Sequence, residues 1–292
     1  MTIYDVVGTP VTRAEGPDKV SGTHLYPADV SLPGMVFGKV LRSPFPHAKI
    51  VSIDTSKAER LPGVLAVVTG EDLLGVRVGR FLRDVPPLAQ DKVRFVGEKV
   101  AAVAAIDPDI AEEALILIEV EYEELPAVFD PIKTMEPGAP VIHDGSPSYD
   151  SPSGQVTPDG NVVYHNSWSG GDIERGFEES DLVFEHTFTT PWVHQGYMEP
   201  YSCIVDVDDA EQVQVWANNK QPFMLRRQLA SGLGLPEEQV TVNPTGIGGD
   251  FGGKAGAMNV PVAHALAVKL SLIHISEPTR RTPISYAVFC LK

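Results

Sequence analysis

The chain has 292 residues, of which 43% are hydrophobic, enough for one large or two ordinary cores, and its formal net charge is -16. Such a field repels phosphate backbones and anionic lipid heads, which argues against nucleic-acid binding and a membrane-surface role. The two cysteines, Cys203 and Cys290, form no CxxC pair and support neither a disulfide framework nor a cysteine metal site, and no apolar run approaches the roughly 18 residues of a spanning helix.

Residues 1–10 show no basic stretch leading into an apolar one, so no secretory signal is expected and the expected location is cytoplasmic. An extended lead-in follows, punctuated by Gly16, Pro17 and Gly22. Segments 35–43, 48–54 and 63–70 read as strands, with 55–61 between them as a short helix capped by Thr55. A strand at 98–107 runs into Pro108, which opens a helix over 108–118, and 119–125 reads as a strand that closes a compact α+β unit near Pro126. Residues 131–160 contain Pro131, Pro137, Pro140, Pro147, Pro152 and Pro158 and read as a linker strapped over a surface, which places a domain boundary there.

A second pattern begins with strand 161–170, helix 172–180 and a long alternating strand over 181–191. Segments 201–208 and 212–219 read as an antiparallel pair. A helix over 220–232 presents Met224, Leu225 and Leu229 on one face, and strand 239–244 delivers the chain to a glycine cluster. Beyond it a helix starting near Ala257 carries Val260, Ala263, His264, Ala267 and Val268 and is expected to pack on something that follows. From about Ser271 the character changes: Pro278 and Pro283 break the text, Arg280 and Arg281 interrupt it, and neither helical nor strand period continues. Residues 271–292 read as a non-native tail resembling translated sequencing-adapter DNA.

The cluster from Gly246 to Lys254 lies between a predicted strand and a predicted helix, where successive amides can close round an anion. Residues Gly248 to Lys254 satisfy GxxxxGK, but Ala255 stands where a P-loop needs Ser or Thr for magnesium. Phe251 would crowd the cradle, and no apolar strand ending in Asp follows, so a nucleotide-hydrolysing loop is disfavoured.

The run GGDFGGK, preceded by ANNKQPF and HQGYMEPYSCIVDVD, resembles a cofactor-binding domain of the xanthine dehydrogenase and aldehyde oxidase family. The earlier runs RAEGPDKVSGTHLYPADV, RSPFPHAKI, VRFVGEKVAAV and EYEELPAVFDP resemble the small α/β hammerhead domain that precedes it. The resemblance covers about residues 6–270 and implies an α+β fold. It divides the chain into a hammerhead domain with lead-in over 1–130, the linker 131–160, and a truncated molybdopterin-binding domain over 161–270 ahead of the tail 271–292.

In that family molybdenum is held by a pterin dithiolene and not by side chains. The resemblance implies Mo-molybdopterin or its cytosine dinucleotide form here, with iron-sulfur clusters and FAD on partner subunits and, when intact, a dimer of heterotrimers. By position, Gln221 matches a glutamine that hydrogen-bonds an oxygen ligand of molybdenum. Phe251 and Gly252 match residues whose backbone lies against the metal centre, with Gly248, Gly249 and Gly253 permitting close approach. Asp250 replaces a glycine found in many relatives, and Lys254 is read either as screening a cofactor phosphate or as solvated. Glu199 is read as a structural anchor of a strand start, His194 as a satisfied buried histidine, and Cys203 as an inert core residue. Ala255 stands where purine-oxidising relatives carry a glutamate, which puts xanthine in doubt as a substrate.

The implied activity is hydroxylation of an aldehyde or N-heterocycle with oxygen from water. The family's general-base glutamate is expected downstream, which would leave this fragment inactive. A carbon monoxide dehydrogenase type large subunit is the alternative within the family, its cysteine-bearing loop lying beyond residue 270. A non-catalytic α+β binding module is the alternative outside it, to be distinguished by an exposed apolar patch without a deep glycine-lined cleft.

Overall fold

The computed structural model describes residues 7–145, 148–152, 159–274 and 286–290. The lead-in forms a surface helix α1 (Gly16–Ser21) that buries nothing and ends at Gly22, whose φ of 75° lets the chain leave by a left-handed turn. The first unit then follows as β1 (Val36–Arg42), β2 (Ala48–Asp54), α2 (Ser56–Glu59), β3 (Val64–Thr69), β4 (Lys92–Val93), β5 (Lys99–Ala105), α3 (Pro108–Ile116) and β6 (Glu119–Glu124). β5 reads as an unbroken apolar run because both of its faces are covered, and it pairs antiparallel with β1 along one edge and β3 along the other. α3 starts where the Asp107 carboxylate accepts the amides of Asp109 and Ile110 with Pro108 in the first turn. Thr55 does not cap α2; its hydroxyl donates to Glu59 Oε1 instead, and the amide of Ser56 goes to Asp54 Oδ1.

The proline-rich stretch is held down by side chains. Asn161 accepts the amide of Ile142 and donates to the carbonyls of Thr134 and Pro140, and Lys92 reaches Asp144 at 2.9 Å. After it, α4 (Ile173–Glu178) forms as expected, but 161–170 and 181–191 are not strands. The alternation of 181–191 is real, yet among the described residues no neighbouring strand offers its N–H and C=O groups to either segment, and an unpaired strand has nothing to form against.

The second unit continues with β7 (Ser202–Val207), β8 (Val213–Ala217), α5 (Pro222–Leu233), β9 (Val240–Asn243) and α6 (Val260–His274). β7 and β8 pair antiparallel, and β9 joins β8 in parallel through α5, which buries Leu225 and Leu229 while Met224 is half-buried. α6 packs onto earlier strands: Val260, Ala263, Leu266, Ala267 and Leu270 share one core with Ala66 and Val68 of β3 and Cys203 and Val205 of β7. It also packs against the strand at Tyr286–Cys290, so the expected partner that follows it is present, and the earlier strands are further partners that the sequence did not show. On the opposite face α2 and α3 cover Val67, Ala101 and Val103.

The strands form a seven-stranded sheet in the order β3-β5-β1-β10-β7-β8-β9 and a three-stranded sheet β4-β2-β6. β10 (Tyr286–Cys290) lies within the segment read as a non-native tail; it runs parallel to β1 and antiparallel to β7 and is the strand that joins the two units.

Candidate functional site

The glycine cluster follows β9 and is fixed from three directions. From the lead-in, the carbonyl of Leu25 accepts the amide of Gly246 at 2.8 Å. Ahead of β7, Glu199 and Gly248 are bonded twice: the Glu199 amide donates to the Gly248 carbonyl, and the Gly248 amide donates to Glu199 Oε2 at 2.6 Å. A Cβ at Gly248 would lie 2.6 Å from Glu199 Cβ, so this close approach requires glycine. The third contact is the segment before α5. The Lys220 amide donates to the Lys254 carbonyl at 3.0 Å, the Asn219 Nδ2 donates to the Gly256 carbonyl at 2.8 Å, and Asn219 Oδ1 accepts the amide of Gln221.

Gln221 is therefore stitched to the loop that carries Phe251 through its immediate neighbours. It occupies the N-cap position of α5 without capping, and its side-chain Oε1 is buried with no hydrogen-bond partner. A buried amide oxygen left this way costs about 1–3 kcal/mol, a cost that a ligand's donor would remove. Phe251 has φ 43°, the left-handed region that a bulky residue rarely adopts, and the residue is 76% exposed. Gly249 and Gly252 flank it at φ 98° and 99°, and a Cβ built at Gly252 would meet no atom within 4 Å. Gly253 is packed instead, with Tyr197 Cε1 2.8 Å from where its Cβ would lie and its carbonyl accepting the Tyr201 hydroxyl. Burial, with Tyr197 alongside, pushes the Tyr201 phenol far above its ordinary value, so it stays protonated and donating.

A cavity of about 690 Å³ opens on one side of the loop between Tyr26 and Asp29 of the lead-in, Met198, and Gly248, Gly249 and Phe251. Gln221, Gly252 and Gly253 are not part of its lining and belong to the stitched side.

The loop amides do not wait for an external anion. Asp250 Oδ2 accepts the amide of Gly252 at 2.9 Å and the ammonium of Lys220 at 2.7 Å, Asp250 Oδ1 accepts the amide of Lys254 at 2.5 Å, and the Asp250 carbonyl accepts that of Gly253. This agrees with the sequence reading against a phosphate-binding loop, and it is the reading of Lys254 as a solvated or phosphate-screening cation that is corrected. Lys254 is 0% exposed, its ammonium lies 2.8 Å from Glu199 Oε2, and it sits 4.8 Å over the Tyr197 ring. His194 is likewise corrected: it is exposed, and its Nδ1 accepts the amide of Gly196. Cys203 is buried in β7 and belongs to the core. Sequence reasoning missed Asn219, whose only sign was its place in ANNKQPF beside the predicted glutamine.

The family model described as "Aldehyde oxidase and xanthine dehydrogenase, a/b hammerhead domain" matches residues 21–126, and that described as "Molybdopterin cofactor-binding domain" matches 156–272. The chain belongs to the xanthine dehydrogenase and aldehyde oxidase family. It is 41% identical over 258 residues to a probable xanthine dehydrogenase subunit of Bacillus subtilis, covering 88% of this chain and 33% of that protein. It is 34% identical to the nicotinate dehydrogenase large molybdopterin subunit of Eubacterium barkeri, covering 86% of this chain and 56% of that one. Among solved structures, the reconstituted CO dehydrogenase from Oligotropha carboxidovorans superposes with a TM-score of 0.79 at 32% identity, over 98% of this chain and 35% of that chain. The chain thus spans between a third and just over half the length of these relatives.

As a xanthine dehydrogenase family chain it carries a molybdopterin-binding domain, and the residues present fit such a group: an orphaned Gln221 oxygen in the segment bonded to the loop, an open Gly252 and a left-handed Phe251 backbone. Among the described residues no group of three or more His, Cys, Asp or Glu could hold a bare metal ion. No helix among them is long and apolar enough to cross a membrane.

Proposed function

We propose that this chain supplies one wall of the molybdenum-pterin site of a hydroxylase large subunit that oxidises an aldehyde or an N-heterocycle with oxygen from water. The observation that carries the reading is the stitching of the Gln221 segment to the Phe251 loop through Asn219 and Lys220. When bound, the cofactor supplies two-electron redox chemistry and activation of water. Gln221 would orient it by hydrogen bonding, the backbone at Phe251 and Gly252 would give it close approach, and Gly248, Gly249 and Gly253 let the loop pack tightly enough to present that backbone. Ala255 offers the substrate a methyl group and no hydrogen bond, which favours substrates other than xanthine.

The relatives named as subunits, large subunit or large chain support a multisubunit enzyme, for which the family resemblance implies iron-sulfur and FAD partners, and the acidic composition supports a cytoplasmic location. The carbon monoxide dehydrogenase alternative keeps specific support from a large chain of that enzyme at 36% identity. The binding-module alternative predicts an apolar patch and no glycine-lined cleft; the chain has the cleft and an exposed apolar stretch as well.

Residues 1–292 by themselves are inferred to be inactive, since they cover 33% of a relative such as the Bacillus subtilis protein. The test is therefore a chimera in which this chain's residues 7–270 replace the matching part of that protein, produced in a cofactor-competent host. Metal analysis is expected to show stoichiometric molybdenum, and Gly252→Val in the chimera to remove it by closing the open approach. A folded chimera without molybdenum would overturn the reading.

A further inference from the structure

Three consecutive amides after Phe251 end on one residue. Gly252 and Lys254 donate to the two carboxylate oxygens of Asp250 and Gly253 donates to its carbonyl, so the concave side of the loop is already filled. The same carboxylate reaches out of the loop to Lys220 Nζ at 2.7 Å, and the Lys220 backbone amide returns to the Lys254 carbonyl. Lys220 immediately precedes Gln221, so one side chain fixes both the shape of the loop and its distance from the glutamine. A fixed internal anion also stabilises what glycine alone would not: it accepts amides on the far side of Phe251 and so keeps that residue left-handed.

We propose that Asp250 is a positioning residue, an internal counter-anion that locks the glycine loop against the Lys220–Gln221 segment, so that the loop presents the Phe251–Gly252 backbone to the cofactor and takes no phosphate itself. The proposal rests on the reading of the loop as a cofactor wall, but its geometry is testable without cofactor. The charged and titratable groups facing Asp250 are Lys220 from the segment before α5, Lys254 with its partner Glu199 from the segment before β7, and the phenols of Tyr197 and Tyr201. Burial raises the Asp250 carboxyl, but the Lys220 ammonium and the two amides outweigh it and hold the group below its ordinary value. The lock is therefore complete above the ordinary aspartate range and is released as pH falls through the lowered folded value.

The experiment is amide hydrogen exchange on the full chain, resolved at Gly252 and Lys254 and corrected for intrinsic rates, with β7 and α6 amides as the control for global unfolding. Asp250→Asn removes the charge and one acceptor; exchange at both amides is expected to rise at least tenfold at neutral pH, with the controls unmoved. In the wild type the same protection is expected to disappear on acidification, and in Asp250→Asn to show no such transition. Excess inorganic phosphate is expected to leave the amide shifts of the wild-type loop in place. Should Asp250→Asn unfold, Lys220→Met removes the ammonium alone, and the acid transition of the loop is expected to move to higher pH. Unchanged protection in Asp250→Asn, phosphate-dependent shifts at Gly252 or Lys254 in the wild type, or an unmoved transition in Lys220→Met would each overturn the proposal. A molybdenum-free chimera with protected loop amides would sink the cofactor-wall reading alone; a loaded chimera with unprotected amides would sink the lock alone.

Discussion

A lysine wholly withdrawn from water is tolerable only beside an anion, and Lys254 has Glu199 at 2.8 Å and the Tyr197 ring face at 4.8 Å. Such a pair adds little net stability, because both ions lose their hydration, but removing one partner strands the other at a cost of about 3–5 kcal/mol. Lys254→Met is therefore expected to lower the unfolding free energy by about that amount, and adding Glu199→Gln is expected to restore part of it. Urea unfolding of the two single variants and the double variant measures the coupling; strictly additive losses would show that the two groups act separately. The sequence displayed the lysine at the end of its glycine run but not its partner, which lies 55 positions earlier. The glycines were legible because their spacing between a strand and a helix has few physical uses. The carboxylates of Glu199 and Asp250 were not, since nothing local says which amides they will face.

At the scale of elements, period and punctuation carried most of the fold. β5 and α3 could be read from an apolar run, an Asp cap and a Pro, all of which act within a few residues. The segment 181–191 could not, because its alternation fixes which side chains share a face but not which strand will pair with it. The junction between β5 and α6 was equally hidden. Lys99, at the start of β5, donates from Nζ to the carbonyl of Met258 at 2.8 Å, just ahead of α6. Burial, aided by the nearby Arg42 guanidinium, pushes its ammonium down from 10.5 to about 8. The unfolded chain then binds more protons than the folded one between those values, so stability rises as pH climbs from about 8 towards 10.5. Below that window the depressed value is a standing cost of about 3 kcal/mol, offset in part by a hydrogen bond of about 1 kcal/mol. Lys99→Met is expected to stabilise the chain by about 2 kcal/mol near neutral pH and to abolish the alkaline rise, which denaturant midpoints at neutral and alkaline pH would show. A variant that keeps the alkaline rise would place its origin elsewhere.

At the scale of the whole molecule, two units that the sequence separates at a proline-rich stretch contribute to one seven-stranded sheet, with β1, β3 and β5 on one side of β10 and β7, β8 and β9 on the other. That union depends on pairings between strands far apart in the chain, which no local pattern encodes. The same non-locality explains the surface. Residues 163–196 are exposed throughout, and they include Trp168, Phe184, Phe188 and Trp192, the last 99% exposed. Single exposed apolar groups are ordinary, but a continuous stretch of this kind is a surface made to be covered. The isolated chain is accordingly expected to bind a hydrophobic dye and to associate as its concentration rises. Replacing Phe184, Phe188 and Trp192 together by Ser is expected to suppress both, with the thermal midpoint almost unmoved, because these side chains bury little in the chain as it stands. Light scattering beside a thermal scan separates the outcomes: if the triple variant loses its folded baseline, the stretch already packs on the core in solution, and the exposure of 163–196 is not a property of the free chain.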